Sequence, residues 1–272
     1  MAILEKISPN GKVLGIDWDT EMIENIEHQD RLVLVNDSYA NLKKIVEENK
    51  FYPVNGILLD LGMSSWHLDE SGRGFSFLKD EPLEMSYETQ NALLRQCYSG
   101  QAKRKTQNCL TAEMIVNDWE QEKIENILRE YGEERFAPQI AKKIVEARKI
   151  KPIKTTFQLV KIIGEGIPLR FRFGKIHFAT RTFQAIRMAV NGELENLKAV
   201  LPQAVDILEQ QGRIIVISFH SIEDRIVKNF FKEESKNKHL SIITKKPIIP
   251  SEEEIKNNHR CRSAKLRSAI KI

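Results

Sequence analysis

Several features that define common protein classes are absent from this chain of 272 residues. No apolar run approaches the roughly 18–20 residues needed to span a membrane, and the opening MAILEKISPNGK lacks the apolar core of a secretory signal. The three cysteines, Cys97, Cys109 and Cys261, show no CxxC spacing, so neither a zinc site nor a disulfide framework is predicted. These absences favour a cytoplasmic, reduced protein without a metal.

The composition is that of a folded protein with a modest net charge. Hydrophobic residues make up 41% of the chain and charged residues 29%, which argues against a disordered chain. The formal net charge is only +4, so any surface that binds nucleic acid must be local. A chain of this length can form one large domain or two ordinary ones.

Alternating strand and helix patterns in the first 60 residues predict a parallel, doubly wound α/β sheet. Apolar strands are predicted at residues 12–16, 31–35 and 57–60, and helices at residues 20–26 and 40–49 lie between them. Ligands of such sheets bind just beyond the carboxyl ends of the strands. The side chains that follow these strands are therefore the candidates for a binding site.

Two acidic residues stand directly at predicted strand ends. Asp17 can accept hydrogen bonds from the two hydroxyls of a ribose, or it can cap the next helix, for which Thr20 is the predicted N-cap. Asp60 precedes Gly62–Ser65, where a glycine permits close backbone approach and two hydroxyls follow. This combination suits a binding site. An ordinary strand-to-loop turn with Asp60 as a local cap is the alternative.

A glycine-rich loop is missing in front of Asp17. In dinucleotide-binding folds the ribose-binding acid comes about 20 residues after the loop that receives the cofactor. Counting back from Asp17 passes Met1, and nothing before it resembles GxGxxG. The sequence therefore predicts a sheet that lacks its first strand, and the edge exposed in this way is an aggregation liability.

Residues 81–179 are predicted to form an inserted helical subdomain between the α/β segments 1–80 and 180–272. Apolar residues recur at helical spacing in this region, in residues 111–117, 121–130, 135–148 and 156–163. Thr89–Asn91 (TQN) recurs as Thr106–Asn108 around a basic segment. The repeat arises by chance or marks a local insertion that forms an exposed loop.

From Gly166 to Gly192 the chain carries no acidic residue, and basic residues alternate with aromatic ones. Cations that neutralise phosphates, beside aromatics that stack on unpaired bases, are the composition expected for binding single-stranded RNA. Aromatic residues in the core with basic residues on a solvated face are the alternative. Residues 236–272 add ten Lys and Arg against three Glu. The basic candidates in the acid-free segment are Arg170, Arg172, Lys175 and Arg181.

A final strand is predicted at residues 213–218, after a long amphipathic helix at residues 182–201. The sequence SFHSIED follows, in which Ser221 and Asp224 match a capping box for the next helix. His220 in this stretch acts on a proton, contacts RNA or has a purely structural role.

Five motifs occur in a recognisable order: LLDLGMSS (58–65), RGFSF (73–77), YGEERFA (131–137), ATRTFQAIR (179–187) and SFHSIEDRIVK (218–228). With these motifs the chain closely resembles the bacterial ribosomal RNA small-subunit methyltransferase H family, also called MraW. The likeness runs from the N-terminus to the basic ending at residues 259–267. It implies a class I S-adenosylmethionine-dependent methyltransferase, with a Rossmann-like sheet and an inserted helical domain that recognises the substrate.

The resemblance also implies the cofactor, the substrate and the site. The cofactor is S-adenosylmethionine, the substrate is 16S rRNA of the small ribosomal subunit, and the methyl acceptor is N4 of a decoding-region cytidine. By position, Asp17 binds the ribose, Tyr39 lies near the adenine, and Asp60 lies beside the methionine or sulfonium end. His67 stands where the family usually has Gln and is the further cofactor position.

Asp60 is the predicted key catalytic residue. An exocyclic cytosine amine is a poor nucleophile, so catalysis mainly aligns the reacting atoms and accepts hydrogen bonds from the amine. Asp60 or the hydroxyls of Ser64 and Ser65 are suited to that task. Further RNA contacts are predicted at Arg73, His220, Arg260 and Arg262. For the RGFSF loop that contains Arg73, packing on the core is the alternative.

Two departures from the family leave two functions open. The family's PLDMR segment reads PLEMS at residues 82–86, which loses an Arg, and the glycine-rich loop is absent. The chain is either an rRNA methyltransferase or a non-catalytic RNA-binding relative that has lost its cofactor site. Retention of Asp17, Tyr39, Asp60 and the SFHS segment (218–221) favours the enzyme, because a decaying site loses such residues early.

Overall fold

The structure is a computed structural model that describes residues 2–87, 110–174 and 176–272. Some predictions fall outside the described residues. They concern both TQN repeats, Cys97, Cys109 and the predicted RNA contact Lys175. The chain divides into two compact units, which are described separately. Unit 1 comprises Met1–Gly62 and Leu194–Ile272, and unit 2 comprises Met63–Glu193.

Unit 1 contains the strands and the helices that cover them. Its strands are β1 (Val13–Asp17), β2 (Leu32–Asn36), β3 (Val54–Asp60), β4 (Leu208–Ser218), β5 (Leu240–Ile242) and β6 (Lys265–Lys271). Its helices are α1 (Ala2–Lys6), α2 (Thr20–Glu24), α3 (Leu42–Glu48), α10 (Glu193–Ile207), α11 (Ser221–Lys236) and α12 (Glu252–Asn257), with 3₁₀ helices at Tyr39–Asn41 and His259–Ser263.

The strands form two sheets. Strands β1 and β2 pair in parallel, with Asp17 opposite Asn36 at their carboxyl ends. The second sheet has the order β3-β4-β6-β5, in which β3 and β4 are parallel and β6 is antiparallel to both of its neighbours. This arrangement of strands and helices confirms the predicted α/β class.

Among the described strands, no hydrogen-bonded ladder joins the β1-β2 sheet to the four-stranded sheet. Leu58, in the middle of β3, is 48% exposed, although parallel strands are usually buried on both faces.

The core of unit 1 lies between the four-stranded sheet and the helices packed on it. Ile214 and Val216 of β4 are fully buried, and Val200 of α10 and Phe231 of α11 pack in the same cluster. Helix α3 joins this core through Leu42 and Val46. Burial of each such side chain contributes about 1.5–3 kcal/mol to folding.

Unit 2 is helical. Its helices are α4 (Ser65–Asp69), α5 (Ala112–Asp118), α6 (Gln121–Glu130), α7 (Ala137–Arg148), α8 (Thr156–Gly166) and α9 (Thr180–Asn191), with a 3₁₀ helix at Leu169–Phe171. Ile115, Leu128, Ile144 and Ile163 are fully buried in its core, which is the outcome of the helical spacing read from the sequence. None of the helices in the described ranges is long and apolar enough to cross a membrane.

The boundaries of the units differ from those predicted. The sequence placed residues 63–80 and 180–193 in the α/β part, whereas both segments belong to unit 2. Phe75 of the first segment and Phe183 and Ile186 of the second are buried in the helical core. Local periodicity cannot reveal this because it shows that a face is apolar, not which core covers it.

Three local predictions are corrected by the backbone. The predicted helix over residues 182–201 is two helices, α9 and α10, because Gly192 adopts a left-handed conformation (φ 58°) between them. Asp19, not Thr20, is the N-cap of α2, since its carboxylate accepts the N–H of Glu21. The capping box of α11 consists of His220 and Glu223, not Ser221 and Asp224.

Candidate functional site

Polar side chains collect at the carboxyl ends of the parallel strands of unit 1. Asp17 ends β1, Asn36 ends β2, Asp60 ends β3 and Ser218 ends β4. Parallel pairing brings Asp17 beside Asn36, and it brings Asp60 to the level of Ile217, the residue before Ser218. Ligands of doubly wound sheets bind at such strand ends, and we call the residues at these ends of the two sheets the carboxyl edge.

The corner formed by Asp17 and Asn36 is held by a hydrogen-bond network. Asp17 Oδ1 accepts the N–H of Asp19 at 2.8 Å. The amide of Asn36 donates to the carbonyl oxygens of Asp17 at 3.2 Å and Trp18 at 2.9 Å, and its Oδ1 accepts the hydroxyl of Thr20 at 3.1 Å. The exposed Asp17 side chain is therefore anchored on a rigid turn. Asn36 was not among the predicted site residues, although its position at the end of an apolar strand was a sufficient signal.

Tyr39 lies on the turn after β2. Asp37 Oδ1 accepts the N–H of Ser38 at 2.7 Å and the amide of Asn41 at 2.8 Å, which fixes this turn. Tyr39 then begins a 3₁₀ helix, and its partly buried ring packs against the core of unit 1. The aromatic ring is thereby held at the carboxyl edge rather than on an open loop.

The Asp60 carboxyl group has a raised pKa. Burial by surrounding atoms is the larger cause, and the negative charge of Glu223 is the second. Gly62, two residues on, has a φ of +93°, a conformation that favours glycine and turns the chain sharply after β3. A carboxyl group with a perturbed pKa at a strand end, followed by a tight glycine turn, is typical of a functional position.

Glu223 organises the turn after β4. Its Oε2 accepts the N–H of Phe219 at 2.9 Å and that of His220 at 3.4 Å, while its own N–H donates to His220 Nδ1 at 3.3 Å. Its other carboxylate oxygen lies 3.2 Å from His220 Nε2. Glu223 is only 3% exposed, so its charge acts inside the protein. His220 thus has a structural role as a cap, and the HxxE spacing was the signal for this pair.

Ser64, Ser65 and His67 lie in unit 2, at the start of α4. Ser64 is the N-cap of this helix, and its hydroxyl lies 2.8 Å from Nδ1 of His67, which also accepts the N–H of Ser64. The His67 ring is buried and makes edge contacts with Phe75 and Tyr87. The two serines remain exposed. The catalytic role of the serines and the cofactor contact of His67 stay predictions.

Arg73 is buried inside unit 2. Its guanidinium lies 5.2 Å from the centre of the Trp66 ring and donates to the carbonyl oxygens of Ser86 and Tyr87. The residue is only 6% exposed. Arg73 therefore supports the fold of the RGFSF loop and has little charge to offer RNA.

The other basic candidates differ in their surroundings. In unit 2, Arg170 and Arg181 are exposed, and Arg172 is partly buried and donates to the carbonyl oxygen of Ile167. In unit 1, Arg260 and Arg262 are exposed on the 3₁₀ helix before β6. These residues keep charge at the surface, as an RNA contact requires.

The chemistry of the carboxyl edge suits a nucleoside with a positive charge. A carboxylate on a rigid turn can accept hydrogen bonds from ribose hydroxyls, and a fixed aromatic ring can pack on a base. The acidic groups of Asp60 and Glu223 favour a cation beside them. The family resemblance implied Asp17, Tyr39 and Asp60 as the residues that bind S-adenosylmethionine, and that assignment stays a prediction.

Comparison with known proteins gives matches over nearly the whole chain. A family model described as the MraW methylase family matches residues 1–97 and 102–272. A protein from Sulfurihydrogenibium sp. (strain YO3AOP1), named "Ribosomal RNA small subunit methyltransferase H", is 44% identical over 275 residues, which cover 99% of this chain and 88% of that protein. Proteins of the same name from Clostridium botulinum (strain Kyoto / Type A2) and Kosmotoga olearia are 42% identical over 289 residues and 44% identical over 278 residues. These alignments cover 99% and 100% of this chain and 88% and 86% of the two relatives.

Proposed function

Because the chain belongs to the MraW methylase family, we propose that it methylates ribosomal RNA of the small subunit with S-adenosylmethionine as the methyl donor. The membership confirms the resemblance read from the motifs. The observation that carries the proposal is the family match over residues 1–97 and 102–272, which includes every residue of the carboxyl edge. An rRNA substrate would place the protein with ribosomes in the cytoplasm.

Three residues of unit 1 would hold the cofactor. The Asp17 carboxylate would accept the ribose hydroxyls, since the hydrogen bond from the N–H of Asp19 fixes its orientation. The Tyr39 ring would pack beside the adenine, and Asp60 would lie beside the sulfonium end. When bound, S-adenosylmethionine supplies a methyl group attached to a positively charged sulfur, which makes that methyl electrophilic.

The proposed acceptor is N4 of a cytidine, whose lone pair is delocalised into the ring. The N4 nitrogen becomes more reactive when its N–H donates a hydrogen bond to an acceptor, because the positive charge that develops on the nitrogen is then stabilised. The ionised carboxylate of Asp60 can accept that N–H, and its partial desolvation strengthens the interaction. No strong base is required, since the N–H becomes acidic as the new bond forms and the proton passes to water.

The helical unit would recognise the RNA. Its charge pattern supports this role, because no acidic residue occurs between Gly166 and Gly192 and Arg181 is exposed. Arg260 and Arg262 of unit 1 would add phosphate contacts. Contacts of this kind position the RNA without reading its sequence.

Transfer of a radiolabelled methyl group to small-subunit rRNA tests the proposal. Asp60→Asn keeps the size of the side chain but removes its charge, and we expect turnover to fall about 100- to 1,000-fold. The matched control is Asp30→Asn, because Asp30 is exposed before the amino end of β2, at the opposite edge of the sheet. We expect this control to keep the activity of the unchanged protein.

The outcomes separate the two functions left open by the sequence. If the unchanged protein transfers methyl groups and Asp60→Asn abolishes this activity, the result supports both the enzyme function and the role of Asp60. Equal turnover of Asp60→Asn and Asp30→Asn would show that Asp60 is not the key residue. RNA binding without methyl transfer, together with no heat of binding to S-adenosylmethionine in calorimetry, would identify a non-catalytic RNA-binding protein. Digestion of the labelled RNA to nucleosides would identify the modified atom.

A further inference from the structure

Two segments of unit 2 that are distant in sequence form one cluster of aromatic rings and guanidinium groups. Phe136 stands at the start of α7, and Phe171 ends the 3₁₀ helix Leu169–Phe171. Their ring centres are 5.2 Å apart and the rings are tilted by 46°. Arg135 and Arg170 lie beside them. We call these four residues the Arg–Phe platform.

The guanidinium groups of the platform cover its rings. The Arg135 guanidinium carbon lies 5.2 Å from the centre of the Phe171 ring and 5.6 Å from that of Phe136. The Arg170 guanidinium carbon lies 4.8 Å from the centre of the Phe171 ring. These distances are those of cation–π contacts. Both arginines therefore use the rings, not carboxylates, as partners.

The cations of the platform keep their charge available. Among the residues that the structure describes, neither the Arg135 nor the Arg170 side chain takes part in an ion pair or a hydrogen bond, and both residues are exposed. Two acids precede them in the chain. Glu134 is buried and its carboxylate accepts the N–H of Phe136 at 2.9 Å, whereas Glu133 is exposed and stands next to Arg135 in sequence.

The backbone beneath the platform is held in place. The N–H of Phe171 donates to the carbonyl oxygen of Pro168 at 2.9 Å, and Arg172 Nε donates to the carbonyl oxygen of Ile167 at 2.9 Å. Apolar side chains beside it remain open, because Phe173 is 83% exposed and Leu169 is 64% exposed. A surface on a fixed backbone, with one exposed ring and cations that have no carboxylate partner among the described residues, loses little conformational entropy when it binds a ligand.

We propose that the Arg–Phe platform of unit 2 is a stacking site for unpaired bases of RNA. The guanidinium planes held over the rings can stack on unpaired bases, and the same groups can neutralise phosphates. The absence of acidic residues from Gly166 to Gly192 extends this positive surface. The inference rests on the proposed function for the identity of the RNA, but its chemistry is that of single-stranded RNA in general.

Binding of a fluorescein-labelled, unstructured 12-nucleotide RNA to the full chain, measured by anisotropy, tests the platform. We expect Phe171→Ala to weaken binding about 5- to 100-fold, the range for loss of one base stack. The double variant Arg135→Lys/Arg170→Lys keeps both charges but loses the planar groups, and we expect a loss of about fivefold or more. A 12-base-pair RNA duplex should bind more weakly than the single strand and should not respond to Phe171→Ala.

Matched controls come from the same unit. Phe157 is 49% exposed, so Phe157→Ala removes a similar ring elsewhere. Arg129→Lys replaces an arginine that is ion-paired with Glu125. Both controls should change the affinity less than twofold. Circular dichroism shows whether Phe171→Ala is folded, and if it is not, the double lysine variant decides.

Each outcome supports or overturns the platform. Equal affinities of the platform variants and their controls would overturn it, and so would an unchanged affinity of the double lysine variant. Displacement of the RNA by polyglutamate at similar charge concentration, without dependence on Phe171, would identify a site for acidic peptides instead. If the unchanged protein binds the RNA through Phe171 but transfers no methyl group, the platform stands and the proposed function fails.

Discussion

The carboxyl group of Asp60 and that of Glu223 share one electrostatic environment at the ends of β3 and β4. Burial raises the pKa of Asp60, and the negative charge of Glu223 raises it further. Glu223 is in turn fixed by the backbone N–H of Phe219 at 2.9 Å. Glu223, which follows β4, thereby raises the pKa of Asp60 at the end of the neighbouring strand β3.

Replacing Glu223 by Gln should lower the pKa of Asp60. The amide keeps a hydrogen-bond acceptor for Phe219 but removes the negative charge that disfavours ionisation of Asp60. If methyl transfer needs ionised Asp60, the acid limb of the kcat/KM profile should move to lower pH. Glu233→Gln, on the exposed face of the same helix, is the control and should leave the profile in place. An unchanged acid limb in Glu223→Gln would contradict this coupling.

Asp60→Asn should stabilise the fold at neutral pH. The raised pKa means that the folded state disfavours the charged carboxylate, so ionised Asp60 lowers the free energy of unfolding above its folded-state pKa. Below the ordinary value of 3.8 the group is protonated in both states, and the difference between variant and parent should disappear. Urea unfolding at pH 7 and at pH 3 measures this. A variant less stable than its parent at pH 7 would contradict the assignment.

The buried pair of Asp224 and Arg267 should contribute strongly to stability. Arg267 donates to Asp224 at 2.7 and 3.2 Å and joins α11 to β6. Burial raises the pKa of Asp224, but the hydrogen bond and charge of Arg267, with help from Lys265, lower it by more. Arg267→Ala should therefore cost about 3 kcal/mol of unfolding free energy at pH 7.

The pH dependence and a surface pair provide the checks for that prediction. A depressed pKa contributes stability above the unfolded value, and this contribution is lost as pH falls through the folded value. The cost of Arg267→Ala should thus shrink below about pH 4. Lys43→Ala removes the exposed pair with Asp206 and should cost much less than Arg267→Ala, because solvent screens that pair. Equal costs for the two variants would refute the distinction between them.

Gly74→Ala should be far more damaging than Gly72→Ala. Both glycines have positive φ, at +77° and +66°, so alanine is strained at each by about 1 kcal/mol. A Cβ on Gly74 would also lie 2.2 Å from the carbonyl oxygen of Pro82, whereas nothing lies within 4 Å of one on Gly72. We expect a loss of about 3 kcal/mol or more for Gly74→Ala. Thermal unfolding of the two variants measures the difference, and similar melting temperatures would contradict it.

The strands of the carboxyl edge could be predicted because their signals are local. Apolar runs that end in Asp17 and Asp60 gave β1 and β3 at their observed carboxyl ends. The amino ends of strands were less certain, since β4 begins at Leu208 rather than after Gly212. Of the β4 residues before Gly212, only Leu208 pairs with β3, and the register shifts after it. That pairing depends on tertiary contacts, which no local pattern shows.

The role of individual side chains was harder to predict than their position. Arg73 is a residue type that often contacts RNA, but its guanidinium group contacts the Trp66 ring and donates hydrogen bonds to two carbonyl oxygens. Arg135 of the YGEERFA motif was not predicted to make a specific contact. Its guanidinium group nevertheless lies over the ring of Phe171, 36 residues further along the chain. Such contacts cannot be read from spacing, because they depend on where the chain returns.

The sequence by itself determined the α/β class, the helical unit, the family and the acids at the strand ends. Each of these follows from patterns within short stretches, where alternation, turns and strand ends are set by local chemistry. Only the tertiary structure decided which core buries α9, that Glu223 acts on Asp60, and that Arg135 meets Phe171. Burial and charge–charge coupling depend on distances between remote segments, and those distances exist only once the chain is folded.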